Sequence, residues 1–569
     1  MALVAAAVIA AFTVWAVYGF TFGKVPGTEM RLPAPAYFYD LRELLTYRRK
    51  PQDAFLLGRH YTGGWWPYFL VTMAVKTPLP TLALLFATFV SIFAWRDIRR
   101  GEWMLIIASG FYYGLSLLSP FNIGHRHLLP ILPLLSILVG RLAPRIVRGR
   151  AAWRYATAAL VGWLMWGTLR IHPHYLAYFN ELVGPDDGYR VLVDSNLDWG
   201  QDLPALERYV KEHEVSFLYL SWFGESRPSQ YDIPHRFIPS KPDELTDIFT
   251  RVYHPEYPPP GAYAISATNL QGLLFDDKDL FGYFLDQEPV AQPGYSVMIH
   301  KVPRLLDLDA APVTVALGST QIDQVPSSVF EDFWHTNDLQ LRWFDPETSC
   351  ILPAESDIWY IMHGQVVDSV LLCPQWEQAQ MIARKVDRED RGELSLYRVQ
   401  PDQAELSAWL DKVTKESSMV ISDEVAFAAG EAPDLRRDVN PPLRFGDRLD
   451  LVGYDASAEL LQPGEAWHLV TYWQVAADGG RPLKAFVQLL DDAGNPRAQY
   501  DGFDIPSIGW RTGDLLVQHH SLSVPGDLEA GRYWVQMGLY DAATKERLPV
   551  LLSDGGVSTR VLLPPLEVE

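Results

Sequence analysis

The chain has 569 residues, 48% of them hydrophobic, with 48 Lys+Arg against 69 Asp+Glu and a net charge of −21. Such a length holds several domains. The charge is divided: residues 1–170 carry 18 Lys+Arg and 6 Asp+Glu, a net of +12, which leaves −33 for the remainder. The basic part is also the apolar part, and basic residues beside apolar runs are topology signals before they are nucleic-acid signals. Nucleic acid is therefore not an expected partner.

Met1 opens directly into an apolar run, Ala2 to Phe20, without the basic leader of a secretory signal, so a membrane span is the better reading. The abrupt start suggests that Met1 is not the natural beginning. Further apolar runs follow at about 67–95, 103–121, 128–143 and 151–170. A helix crossing a bilayer core needs roughly 20 apolar residues, and five such runs predict a transmembrane domain over 1–170. Arg96, Arg99 and Arg100 sit in one short loop, and Arg141, Arg145, Arg148, Arg150 and Arg154 in or beside another. The positive-inside rule makes both loops cytoplasmic. Alternation then places the 21–66 loop, the 119–127 loop and everything after about 171 outside, although Arg48, Arg49 and Lys50 weaken the rule in the first of these.

The stretch Gly188–Asp202 is where membrane character gives way to acidic, water-soluble character. Beyond it an extracytoplasmic α/β domain is expected over 171–305, with strands at Tyr189–Val193, Val215–Trp222, Gly261–Ala267 and Gly294–Val302 and helices at Asp202–His213 and about 275–285. A second α/β domain, 306–430, repeats the rhythm. Its strands are Val313–Leu317, Leu339–Trp343, Ile358–Met362 and Leu394–Val399, with a helix at about 374–386. The ends Gly294–His300 and Gly392–Arg398 look alike, which raises a degenerate duplication. Over 431–569, Trp467–Val475, Phe486–Leu490, Val517–Val524 and Gly531–Tyr540 alternate faces between turn signals and predict an antiparallel β-sandwich. Cys350 and Cys373 are either a disulfide or two free buried thiols.

Residues able to carry chemistry gather at the expected outer surface. Arg126, flanked by His125 and His127, lies between two spans, and Lys76 lies near the same leaflet. Cations there are costly unless paired. A phosphate suits them, because a guanidinium fork holds two oxygens at once; the plain alternative is interfacial anchoring. His125, His127, His172 and His174 form two His-x-His pairs. No carboxylate or thiol stands at ligand spacing, so no metal is expected. Asp194, Asp198 and Asp202 recur every fourth residue with Asn196 between. On a helix they would share a face and could bind a divalent ion or an acceptor. The favoured structural reading has Asp194 end a strand while Asn196 or Asp198 caps the next helix. No Walker loop, GxSxG or HExxH motif is present.

Several phrases then occur together and in order: Phe55-Leu-Leu-Gly58, Gly64-Trp-Trp-Pro-Tyr-Phe69, Lys76-Thr-Pro-Leu-Pro80, Gly124-His-Arg-His-Leu-Leu-Pro130, Tyr189 through Asp202, Ala264 through Gly272, and Gly294-Tyr-Ser-Val. Over about residues 1–305 the chain resembles the C-terminal half of bacterial family 39-type membrane glycosyltransferases. These are relatives of the protein mannosyltransferases and the aminoarabinose transferase in the GT-C superfamily. The resemblance implies transfer of a sugar from a polyprenyl-phosphate donor to an extracytoplasmic glycan or protein acceptor. It also implies an acidic base that deprotonates the acceptor while cations hold the departing phosphate. By location, Arg126, His125, His127 and Lys76 fall on the phosphate side.

The family's base lies upstream of these motifs. Asp40 and Glu43 stand in the wrong segment, so no catalytic residue is assigned, and the missing N-terminal half becomes an expected partner. The resulting expectation is the C-terminal portion of a multi-pass cell-membrane glycosyltransferase with a large extracytoplasmic region. The rival is a non-catalytic, membrane-anchored glycan-binding or envelope-assembly protein, for which exposed aromatics such as Trp510 would be needed for sugar stacking. A transporter would need a continuous polar path, for which only Lys76 is suited.

Overall fold

The computed structural model describes residues 2–47, 52–95, 98–122, 124–243, 247, 249–305, 311–364, 373–421, 437–457, 460–551 and 556–568. Arg48, Arg49, Lys50 and Arg96 of the topology argument lie outside the described residues. The chain forms two compact units, Met1–Thr246 with Ala262–Lys301, and Asp247–Gly261 with Val302–Glu569.

In the first unit the expectation of about five transmembrane helices is corrected. Among the described residues one helical segment, His125–Arg148, is long and apolar enough to cross a membrane, and a second would count only if a pair of helices bent by 115° were one span. That pair is the expected run 67–95. The helix Tyr68–Lys76 stops at Thr77, which is extended, and a new helix runs Leu79–Trp95. Pro78 and Pro80 explain the break: proline cannot donate inside a helix and pushes the residue before it out of helical geometry. The N-terminal helix Ala2–Val17 has only 16 residues. Helices Arg100–Leu117 and Ala151–Arg170 carry charge at their ends.

Beyond the helices lies a sheet of four strands in the order His235–Phe237, Leu218–Ser221, Gly261–Ser266, Val297–Val302. The second pairs in parallel with its neighbours on both sides. Helix Leu203–Glu212 buries Leu203, Leu206 and Val210 against Leu218, Leu220, Trp222, Ala264, Val297 and Ile299. Its apolar residues fall three and four apart, as a one-sided helix requires. The strand expected at Tyr189–Val193 is instead a short 3-10 turn, Gly188–Arg190. The N–H groups of Val191 and Leu192 fold back onto the Gly188 carbonyl at 3.0 Å. Tyr189, Leu192 and Val193 are buried nonetheless, which is what the apolar run signalled. The helix expected over about 275–285 is confined to Gly282–Leu285.

In the second unit a mixed sheet runs Leu339–Phe344, Val313–Gly318, Ile358–His363, Glu393–Val399, Gln380–Val386. Its first three strands are parallel and the rest antiparallel. The expected helix at about 374–386 is thus largely strand. Gln380–Val386 is an edge strand with a register shift between Met381 and Ala383, and such a bulge breaks the alternation by which a strand is recognised. In chain order the four-stranded sheet reads second, first, third, fourth. The mixed sheet reads second, first, third, fifth, fourth, and matches that order when its edge strand Gln380–Val386 is left out.

The remaining strands make two larger sheets, of seven and eight strands. Their inner faces share one core that includes Trp467, Trp473, Val487, Trp510, Leu516, Val535 and Met537. The expectation of a self-contained terminal sandwich beside a membrane bundle is corrected here as well. The seven-stranded sheet is completed at its edge by Ser349–Leu352, from the preceding region, which pairs antiparallel with Leu515–Ser523. Residues Ala316, Tyr360 and Tyr397 of the mixed sheet belong to the same core. Beyond the N-terminal helices the regular structure is therefore chiefly β-sheet, and Cys350 and Cys373 are joined in a disulfide.

Candidate functional site

Asn196, only 1% exposed, ties the candidate residues of the first unit together. Its side-chain oxygen accepts from the His125 main-chain N–H at 2.8 Å, and its amide donates to the Tyr68 hydroxyl at 2.8 Å and to the Val193 carbonyl at 3.2 Å. Its main-chain carbonyl receives the Lys76 ammonium at 2.7 Å. Lys76 also donates to the Leu176 carbonyl at 2.9 Å and sits 4.2 Å from the centre of the Phe179 ring. The helix break after Lys76, the turn at His125 and the acidic stretch thus meet. Gly124 permits this, because a side chain there would run into the Ser195 hydroxyl.

The three aspartates do different things. Asp194 adopts a left-handed backbone, φ +56°, a conformation that Asp and Asn tolerate better than most residues. Its N–H donates to the Thr268 hydroxyl at 3.0 Å. Burial pushes its carboxyl up to about 6, against the pull of the Ser195 N–H and of Arg126. Asp198 is fully buried. One oxygen accepts from the Gly200 N–H at 3.1 Å, and the Thr268 N–H also faces the carboxylate. Burial raises this carboxyl to about 8, opposed by the N–H groups of Gly200 and Thr268 and reinforced by Asp202 and Asp194. Asp202 receives His174 Nδ1 at 2.8 Å, Gln201 Nε2 at 2.8 Å and Ser296 Oγ at 2.7 Å. Gly294, at φ +67°, passes so close to this carboxylate that a side chain would collide with it. The cap expectation is corrected: Asp202, not Asn196 or Asp198, precedes helix Leu203–Glu212, and it makes no side-chain cap.

The histidines do not form one cluster. His125 Nδ1 is buried without a partner. The His127 ring packs edge-on to Phe121 and Phe69. His172 meets the edge of Tyr175, while His174 belongs to Asp202. Among the described residues no three His, Cys, Asp or Glu side chains gather as a metal site.

Arg126 is exposed, and its guanidinium carbon lies 5.0 Å from the centre of the Trp199 ring. Trp199 is itself 50% exposed. Sequence reasoning passed over this indole. The available signal was a large aromatic set among polar residues in Asp198-Trp-Gly-Gln-Asp202. Trp510, named there as a candidate for stacking, is 1% exposed and belongs to the core.

No family model matches the chain, and no curated protein matches it. Among solved structures, a crystal structure of the C-terminal domain of Wzt aligns with 26% of this chain and 87% of that chain, at 14% identity and a TM-score of 0.18. A likeness of that size carries no argument.

These findings correct the larger expectations. Membership of the family 39-type, GT-C transferases is supported by neither a family match nor a relative. The multi-pass cell-membrane placement fails on the single qualifying helix, or two with the bent pair, among the described residues. The transferase function, the polyprenyl-phosphate sugar donor, the lipid-carrier partner with its glycan or protein acceptor, and the awaited N-terminal half were all drawn from that family and that bundle. They fall with it.

Proposed function

We propose that the chain is a non-catalytic glycan-binding protein of envelope assembly, held at a membrane by the segment His125–Arg148, with Trp199 as its sugar platform. The observation that carries this reading is the half-exposed Trp199 indole with the exposed Arg126 guanidinium over its ring. An indole offers an apolar face to the C–H face of a sugar ring, and a neighbouring guanidinium offers five donors to its hydroxyls. The ground beneath the platform is rigid. Trp199 N donates to Gln201 Oε1 at 2.8 Å, and Gln201 is held in turn by Asp202.

The test is a glycan array probed with the full chain, its Trp199→Ala variant and its Arg126→Gln variant. The expected outcome is binding to at least one glycan class, lost at least tenfold in Trp199→Ala with unchanged thermal unfolding, and weakened in Arg126→Gln. A blank array, or binding indifferent to Trp199, would sink the reading.

A further inference from the structure

A second feature of the first unit is unconnected with the sugar platform. Helices Tyr68–Lys76, Leu79–Trp95 and Arg100–Leu117 and the segment His125–Arg148 enclose a cavity of about 440 Å³. The volume lies within the range of small-molecule sites. Its floor is buried: Thr88 is 1% exposed, Ser109 5% and Leu138 7%. Its mouth is made by Phe86, Phe89 and Gly110, all exposed.

The wall is almost wholly hydrocarbon, with three hydroxyls, those of Thr88, Ser109 and Tyr113. Two of them are engaged. Thr88 donates to the Leu84 carbonyl at 2.8 Å, and Tyr113 to the Phe69 carbonyl at 3.3 Å. The Ser109 hydroxyl has no partner among the described residues. A serine inside a helix can return its proton to the carbonyl four residues back. Ser116 does so on the same helix, and Ser136 does so on helix Leu132–Val139, which also lines the cavity. Ser109 does not. A buried hydroxyl without a partner is costly, so one in a cavity wall points to an occupant that supplies the partner. Water fits poorly, because a buried water needs several polar partners. The other two hydroxyls here already spend their protons on carbonyls. Gly110 leaves room for something larger. A Cβ added there would meet nothing within 4 Å.

The order of polarity selects the occupant. The free hydroxyl is at the floor, and the mouth is aromatic. A phospholipid tail enters methyl first and brings only carbon to Ser109. We infer that the cavity binds a largely hydrocarbon molecule whose inserted end carries one oxygen, as a long-chain alcohol does, with Ser109 as its hydrogen-bonding partner. Such a ligand is independent of any glycan at Trp199.

The experiment uses the full chain in phosphatidylcholine nanodiscs and a photoreactive probe, a long-chain alcohol with a diazirine on its chain. After irradiation, mass spectrometry of the digested protein locates the label. The expected result is label on Leu79–Trp95 and Arg100–Leu117 that excess 1-dodecanol displaces and excess dodecane does not. Ser109→Ala should lower this label at least fivefold. Gly110→Leu, which puts a side chain in the mouth, should do the same. Both changes raise helix propensity, so neither works by weakening the helix. Gly114→Leu is the control: it adds the same side chain one turn on, into open space and outside the cavity wall. It should change the label less than twofold. Displacement by dodecane equal to that by dodecanol, label indifferent to Ser109→Ala, or label lowered equally by all three variants would each overturn the site. So would the absence of any label that dodecanol displaces.

Discussion

The Lys76 ammonium donates to the main-chain carbonyl of Asn196 at 2.7 Å, across 120 residues of sequence. With its second bond to Leu176 it fastens a helix end to the turn that carries the acidic stretch. Lys76→Met keeps the length of the stem but removes every donor. Two carbonyls then lose their partner, and leaving buried polar groups unsatisfied costs about 1–3 kcal/mol each. The expected result is a lower unfolding temperature together with weaker glycan binding, because the Asn196 turn leads directly to Trp199. Unchanged stability would mean that water replaces the ammonium and that the tether is dispensable.

Asp198 should make stability depend on pH. Its folded carboxyl titrates near 8, against an ordinary 3.8, with burial as the main cause. Between those values the folded chain holds a proton that the unfolded chain has lost, so stability falls as pH rises from about 4 to about 8 and then levels off. The contribution is fully present below the unfolded value and gone above the folded one. Asp198→Asn keeps an oxygen for the Gly200 N–H and cannot ionise. It should flatten this slope and be the more stable protein at pH 8, by up to a few kcal/mol. Denaturant unfolding at pH 5, 6.5 and 8 measures it. Parallel pH profiles for the two proteins would show that the carboxyl ionises freely in the fold.

How far the sequence foretold these features depended on the range of the contacts involved. Strands such as Val313–Gly318 and Ala466–Val475 are local patterns of alternation or continuous apolarity, and the strands expected in the acidic part mostly lie within a few residues of those found. The break at Pro78 and Pro80 is equally local: the apolar run is long enough for one span, but its prolines divide it. Gln380–Val386 was misread because its bulge and solvent-facing edge erase the period of two. The site was legible only as a neighbourhood. Lys76, His125 and the aspartates were singled out, but Asn196 as their meeting point was not. Its partners lie 71, 120 and 128 residues away, and no spacing rule reaches that far. The fourfold recurrence of Asp194, Asp198 and Asp202 suggested one shared face. The fold instead gives the three a left-handed turn, a buried acid and a histidine partner.

In the second unit Arg342 and Asp514 form a buried ion pair, Nε to Oδ2 at 2.6 Å, with side chains 1% and 0% exposed. Asp514 also accepts from the N–H groups of Arg511 at 2.9 Å and Ala354 at 3.2 Å. Removing one member of such a pair strands the other charge away from water and costs about 3–5 kcal/mol. Arg342→Met and Asp514→Ala should each destabilise by that amount. In the double variant the second change should add little, since the one other partner of Arg342, Glu355 at 3.3 Å, is 34% exposed and can turn to water. Urea unfolding of the three variants decides, and simple additivity would show that the two groups are not coupled.

Cys350 and Cys373 were open to either reading in the sequence, and the fold joins them across 23 residues. Both are buried, at 0% and 4% exposure. Cys350 lies in Ser349–Leu352, the strand that completes the edge of the seven-stranded sheet. Cys373 lies in the same apolar core, with Trp376. A cross-link closing a loop of this size restricts the unfolded chain and is worth about 3 kcal/mol. The double variant Cys350→Ala/Cys373→Ala should lose roughly that amount, somewhat more if the missing sulfurs leave a void. Because both sulfurs are out of solvent, a reductant should act on the native protein only as it opens, and rapidly once it is denatured. Alkylating the denatured, unreduced chain and weighing it gives the direct check. No added label is expected, whereas two labels would mean two free thiols and would remove the cross-link from this core.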